Sequence, residues 1–384
     1  MLAYGDGPWP PTVDPGTVAA LGGVDDPDIL VGWTVEEVPW LAAVPPGRVS
    51  SMSAGYRLAP AVAAGVVQVR STPISAMPGL LEAEIRPDVV VVAGRPSGTG
   101  FIFGASVGWA HAAARLARRG VVVDVRAGLP AYDAPPIPGE ILGVVEGPPV
   151  SPAPAGRPPT AAEEAIGAAV AALVPPGATL EIGLGTACEA VAAALTVGVR
   201  IRSGMVTDAL VGLDRRGLIL DRAEATYAWG GDDLAALSAA GRLRLVPSDQ
   251  SHDVHRLAAF DQFTAVNGAL QVGLDGAVNV EVLDGRPVAG IGGHGDFCAA
   301  ASRSDGGLSI VALSAIRRGR SAIVPTVEQV STPGGLVGLV VTEYGVADLR
   351  QVDPDERRRR LVAVAAPEHR EALAASSDLL RRRQ

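Results

Sequence analysis

Residues 89–125 read VVVVAGRPSGTGFIFGASVGWAHAAARLARRGVVVDV. Val89–Ala93 is a short continuous apolar run bounded by glycine, the signature of a strand buried on both faces of a parallel sheet. A glycine-rich loop follows over Gly94–Gly100. Trp109–Arg118 then carries alanine and leucine at helical spacing, Gly120 stops it, and Val121–Val125 supplies the next strand. Strand, loop, helix and strand in that order predict a parallel sheet with right-handed crossovers.

The same plan recurs downstream. Residues 147–160, GPPVSPAPAGRPPT, hold six prolines and can form neither helix nor central strand. They read as an extended bridge between an N-terminal α/β domain (1–150) and a C-terminal one (160–384), with 151–159 as the linker. Thr160 with Glu163 three residues on forms a capping box that opens a helix carrying Ile166, Val170 and Leu173 inward. Thr179–Ile182 is a strand, and Gly183-Leu184-Gly185 turns it into a helix at Cys188–Leu195. Further strands are expected at Ile310–Leu313 and Leu336–Thr342, and helices at Pro354–Ala363 and Glu368–Ala375.

Composition narrows the function classes. At 384 residues the chain is long enough for two cores, and 48% hydrophobic content with 4% aromatic suits α/β layers built from Ala, Val, Leu and Ile. Two cysteines form no disulfide framework, no stretch is apolar enough for a membrane span, and residues 1–16 do not read as a signal peptide. The expected setting is the cytoplasm. All 32 basic residues are arginine, which excludes lysine-based covalent chemistry. A net charge of −9 argues against nucleic-acid binding, so Arg357–Arg360 and Arg381–Arg383 read as solvated helix faces. Any anionic ligand must be held by arginine or backbone N–H groups.

Three motifs carry chemistry. Gly292-Gly293-His294-Gly295-Asp296-Phe297 places two glycines before a helix start, where backbone N–H groups can point at an anionic oxygen; a tight turn with a cap is the competing reading. Leu180-Glu181-Ile182-Gly183-Leu184-Gly185 is a glycine turn at a strand's carboxyl end, where open α/β sheets bind ligands. Val266-Asn267-Gly268-Ala269-Leu270-Gln271-Val272 followed by Gly276-Ala277-Val278-Asn279 reads as two strands paired across a turn at Asp275-Gly276. His252 and His255 with Asp253 form only a weak metal pattern, lacking a third ligand nearby, and no G-x-S-x-G elbow supports a serine triad.

These motifs, with Thr342–Leu349 (TEYGVADL), resemble the acetyl-CoA hydrolase/transferase family, the single-chain CoA-transferases such as the acetate and 4-hydroxybutyrate enzymes. The resemblance covers most of residues 70–375 and is specific after about 160. It implies an α/β fold of two open-sheet α/β domains of the CoA-transferase type, facing each other across a cleft. It further implies a coenzyme A thioester as substrate, no permanently bound cofactor, no metal, and a homo-oligomer. A small carboxylic acid would be the acceptor if transfer is retained; neither nucleic acid nor membrane is an expected partner.

In that family a glutamate carries the acyl group within a segment reading roughly H-T/S-E-M-x-S/T-D. The matching stretch here is Arg202-Ser203-Gly204-Met205-Val206-Thr207-Asp208, with Gly204 at the nucleophile's position. Glycine can carry neither covalent intermediate, so the ping-pong route is closed there. The favoured expectation is hydrolysis of a thioester, or of an acyl-CoA C–C bond, by activated water, with His294, Glu181 or Asp208 as base. The alternatives are CoA transfer through another residue and a non-catalytic CoA-binding or partner subunit. Gly183, Gly185, Gly204, Asn267, Gly292 and Gly293 are the expected substrate contacts.

Overall fold

The computed structural model describes residues 1–153 and 156–381. Pro154 and Ala155 of the proline-rich bridge lie outside the described residues, as do Arg382 and Arg383 of the C-terminal arginine cluster. The chain forms two open sheets with helices against them. The first has eight strands. Val67–Val69, Val49–Ser51, Ile29–Val31, Leu2–Tyr4, Val89–Ser97, Gly120–Arg126 and Ile141–Gly147 lie side by side, all parallel. The period-two geometry of a strand sorts their side chains. Val90, Val92, Val121 and Val123 enter one core, whereas Val89, Val91 and Val122 enter the core on the opposite face. Both faces are covered, which is why the sequence there is apolar without alternation.

The segment Gly94–Gly100 departs from the expected loop. The strand continues through it to Ser97 and turns back as Gly100–Phe103, pairing antiparallel from Gly94↔Phe103 to Ser97↔Gly100. Gly98 sits at φ +56°, so its glycine serves a hairpin tip rather than a ligand cradle. The helix after it is shorter than the periodicity suggests, Ala110–Leu116.

The second sheet has six strands. Arg200–Ile201, Thr179–Ile182, Thr264–Asn267, Leu308–Ala312 and Leu339–Thr342 are parallel. Gly345–Asp348 closes the edge antiparallel, making the TEYG segment a hairpin. The capping box at Thr160 is present, with Thr160 N donating to Glu163 Oε2 at 2.8 Å and Glu163 N to Thr160 Oγ1 at 3.3 Å. The flanks of the bridge are held: Trp9 Nε1 donates to Ser151 O at 2.7 Å and Arg157 pairs with Glu163.

Two small parallel pairs lie within the second half, Met205–Thr207 with Tyr227–Trp229 and Ala223–Ala225 with Leu243–Leu245. Val107 N donates to Thr226 O and Ala228 N to Ala105 O, both at 2.9 Å, so the loop after the first-half hairpin is stitched onto the second half. Among the described residues no helix is long and apolar enough to cross a membrane.

Candidate active site

A cavity of about 790 Å³ opens where the carboxyl ends of Thr179–Ile182, Thr264–Asn267 and Leu308–Ala312 meet the loops of the first half. Gly183, Gly185, Gly204, Asn267, Gly292 and Gly293 all line it, together with Glu181 and His294. That is the crevice where an open α/β sheet offers free backbone groups.

Gly204 is pinned in the wall. Its carbonyl accepts from Thr226 N and Tyr227 N, both at 3.1 Å, and neighbouring Ser203 donates to Ile182 O at 3.0 Å. Facing Gly204 is a residue that the motifs did not single out for catalysis, His252, which ends the short helix Ser248–Ser251. A Cβ placed on Gly204 would stand 3.2 Å from His252 Nε2, and one on Gly293 only 2.5 Å from the same nitrogen. The two glycines therefore give the imidazole its space. Its ring lies 4.7 Å from that of Phe297, and Nδ1 is 2.9 Å from Ser251 Oγ. Burial lowers its pKa to about 3, so the ring is neutral at physiological pH. In the sequence His252 stands forty-eight residues after Gly204 in no recognised pattern; the only signal it left was the weak pairing with His255, which the fold separates by burying His252 and exposing His255.

His294 begins the helix His294–Arg303. Its Nδ1 is 2.8 Å from Thr332 Oγ1, and Nε2 is buried with no hydrogen-bond partner. Burial lowers its pKa to about 4. Glu181 is buried on the neighbouring strand, where its Oε2 accepts from Asn267 Nδ2 at 2.6 Å. Desolvation outweighs that bond and pushes its pKa up to about 8.

Asp208, the third expected base, is elsewhere. It is exposed at the start of the helix Ala209–Arg215, does not line the cavity, and accepts from Gly231 N at 3.0 Å. Its carboxylate serves the backbone of a neighbouring turn. Asp296 holds the loop in place: it accepts from both the backbone N–H and the hydroxyl of Ser75, while Ile74 N donates to Gly292 O at 3.1 Å. The glycine loop of the second half is thereby clamped to the first half. Arg126 pairs with Glu36 at 2.6 Å and is structural. Among the described residues no three His, Cys, Asp or Glu side chains converge as a metal site.

Residues 234–377 match the family model described as the acetyl-CoA hydrolase/transferase C-terminal domain. The chain is 27% identical over 247 residues to butyryl-CoA:acetate CoA-transferase of Anaerostipes caccae, covering 57% of this chain and 54% of that protein. It is 31% identical over 227 residues to 4-hydroxybutyrate coenzyme A transferase of Clostridium kluyveri, covering 55% and 53%. The chain thus matches about half the length of these curated relatives. Among solved structures, RipA from Yersinia pestis superposes with a TM-score of 0.85 at 25% identity, over 99% of this chain and 94% of that one. A 4-hydroxybutyrate CoA-transferase from Porphyromonas gingivalis shares the fold, with a TM-score of 0.78 at 24% identity over 100% and 93%. These matches support the CoA-transferase resemblance carried by the motifs.

Proposed function

We propose that this chain binds an acyl-CoA in the cavity and hydrolyses its thioester with a water activated by His252. The reading is carried by one observation: Gly204, Gly293 and the neutral Nε2 of His252 converge at a single point of the cavity wall. Where the family pattern has a glutamate, this chain has a glycine and an imidazole in front of it. No carboxylate is available at that point to form a glutamyl thioester.

The chemistry follows from the groups present. The thioester carbonyl lies against the glycine loop, whose N–H groups stabilise charge on its oxygen. Water attacks the carbonyl carbon as its proton passes to His252 Nε2. The C–S bond then breaks, the CoA thiolate takes the proton from the imidazolium, and the free acid leaves. Burial alone holds the pKa at about 3; a developing oxyanion beside the ring raises it toward the working range of a general base. His294 and Glu181 remain the competing bases, and Arg317 and Arg318 on the cavity lining are the cations available to CoA phosphates. We further place the enzyme in the cytoplasm as a homo-oligomer.

The test is thiol release from a panel of acyl-CoAs, with and without acetate. Hydrolysis predicts free CoA in the absence of acceptor and no acceleration by acetate. Movement of CoA onto acetate without thiol release would overturn the reading in favour of transfer through another residue, for which Glu181 is the buried carboxyl at hand. Binding without turnover of any acyl-CoA would favour a non-catalytic subunit.

A further inference from the structure

His252 reaches the cavity at the end of one short turn of helix, Ser248–Ser251, and a neighbour on that turn holds its ring. Ser251 is only 4% exposed and stands off the cavity lining. Its hydroxyl has two partners, the carbonyl oxygen of Pro247 at 3.4 Å and His252 Nδ1 at 2.9 Å. The first is the longer contact, to a carbonyl that also accepts from Gln250 N and Ser251 N, both at 3.0 Å.

A hydroxyl has one hydrogen, and a carbonyl can only accept. The arrangement that keeps both contacts gives the Ser251 hydrogen to Pro247 O and leaves the Ser251 oxygen to accept from Nδ1–H. Neutral imidazole carries a single N–H, so Nε2 is left with a bare lone pair. Nε2 is the atom that faces the space left by Gly204 and Gly293. The same bond fixes which edge of the ring is presented. Turning the imidazole over about its Cβ–Cγ bond would set Cδ2 against the hydroxyl and bring Cε1, which has no lone pair, toward the glycines. Phe297 packs on the ring at 4.7 Å between centroids, but an apolar neighbour cannot tell the two edges apart.

Resting on the hydrolysis reading above, we infer that Ser251 is a positioning residue for the reaction, accepting from His252 Nδ1–H and so holding Nε2 unprotonated and aimed at the point of attack. The proton of water passes to Nε2 while Nδ1–H stays on Ser251. The CoA thiolate then takes that proton from Nε2, and Nδ1 exchanges nothing in the cycle. A hydroxyl carries no charge, so it orients the imidazolium without the stronger charge-assisted bond a carboxylate would supply.

Long-range proton–nitrogen NMR correlation spectra of the intact protein, labelled on its histidine rings, read the tautomer directly. Of the five histidine patterns, the one that vanishes in His252→Gln belongs to His252. It should show Nδ1 protonated and Nε2 bare. The opposite tautomer in the wild type overturns the inference, whether or not any acyl-CoA is hydrolysed. Ser251→Ala should mix the two tautomers and lower kcat for thiol release about tenfold, the weight of one hydrogen bond, with KM nearly unchanged. Ser251→Thr, which keeps the hydroxyl, should keep the wild-type pattern and most of the rate. A Ser251→Ala variant that retains the wild-type pattern also overturns the inference, whatever its rate, because packing rather than the hydroxyl would then set the ring. If the wild type releases thiol from no acyl-CoA, the hydrolysis reading falls, and the spectrum still decides what Ser251 does to the ring. The wild-type spectrum decides the matter even if no Ser251 variant folds.

Discussion

Two histidines occupy two corners of the same cavity, and the proposed mechanism turns on how their settings differ. Both are buried and neutral. His294 stands in the motif that is recognisable from sequence, but it is tied to Thr332 and its free nitrogen finds no partner. His252 stands in no motif, yet its Nε2 is the atom that Gly204 and Gly293 leave room for. Proximity to the reacting point, rather than membership of a motif, is what a general base requires.

The sharpest way to break this comparison is to exchange the two roles. His252→Gln should lower kcat for thioester hydrolysis by roughly 10²–10⁴-fold, the usual contribution of general acid–base catalysis, while His294→Gln should lose less than about tenfold. If the larger loss falls on His294→Gln, together with loss of a pH-rate inflection, the assignment is reversed.

The glycines on either side of His252 sharpen it further. Gly293→Val would drive side-chain atoms into the imidazole, so a folded variant should bind acyl-CoA at least about tenfold more weakly. Unchanged affinity would reduce the loop to a structural turn. Gly204→Glu alone should not confer CoA exchange with acetate, because its Cβ already stands 3.2 Å from His252 Nε2. Gly204→Glu combined with His252→Gly should allow measurable exchange, since the carboxylate then has the space. Exchange by the single variant would show that His252 moves aside easily.

The smallest effect is on stability against pH. His252 and His294 have folded pKa values of about 3 and 4, below the usual 6.5, so the unfolded chain binds more protons in that interval. Stability from these groups is present above 6.5 and is lost as pH falls. Glu181 runs the opposite way, from an ordinary 4.5 to about 8, as does Asp6, from 3.8 to about 7. Their stability is present at low pH and is lost as pH rises through those folded values. The opposing slopes predict a plateau in Tm between about pH 4.5 and 6.5, with losses on both sides. Glu181→Gln should remove most of the loss between pH 7 and 8, read by thermal unfolding across the series; an unchanged slope would mean that Glu181 ionises freely.

Local pattern determined a good deal of this molecule. The apolar runs Val89–Ala93 and Val121–Val125, the capping box at Thr160 and the strand Thr179–Ile182 followed by its glycine turn were legible because each depends on neighbours a few residues away. The glycine motifs at 183–185 and 292–293 could be placed on a ligand-facing edge for the same reason. Where local pattern was ambiguous the reading went astray: Gly94–Gly100 reads as a loop, and only the partner strand available across the turn makes it a hairpin.

Three placements depended on residues far apart in the chain and were decided by tertiary structure alone. Asp208 was drawn away from the cavity by a turn at Gly231. Asp296 was turned from a motif residue into a clamp on Ser75, 221 residues away. His252 was brought to Gly204 and Gly293 by the docking of a short helix that carries no periodic signal. Sequence spacing encodes hydrogen bonding and burial within a strand or helix, because those repeat every two or 3.6 residues. The meeting of side chains from separate elements has no such period, and only the packing of the two sheets against their loops decides it.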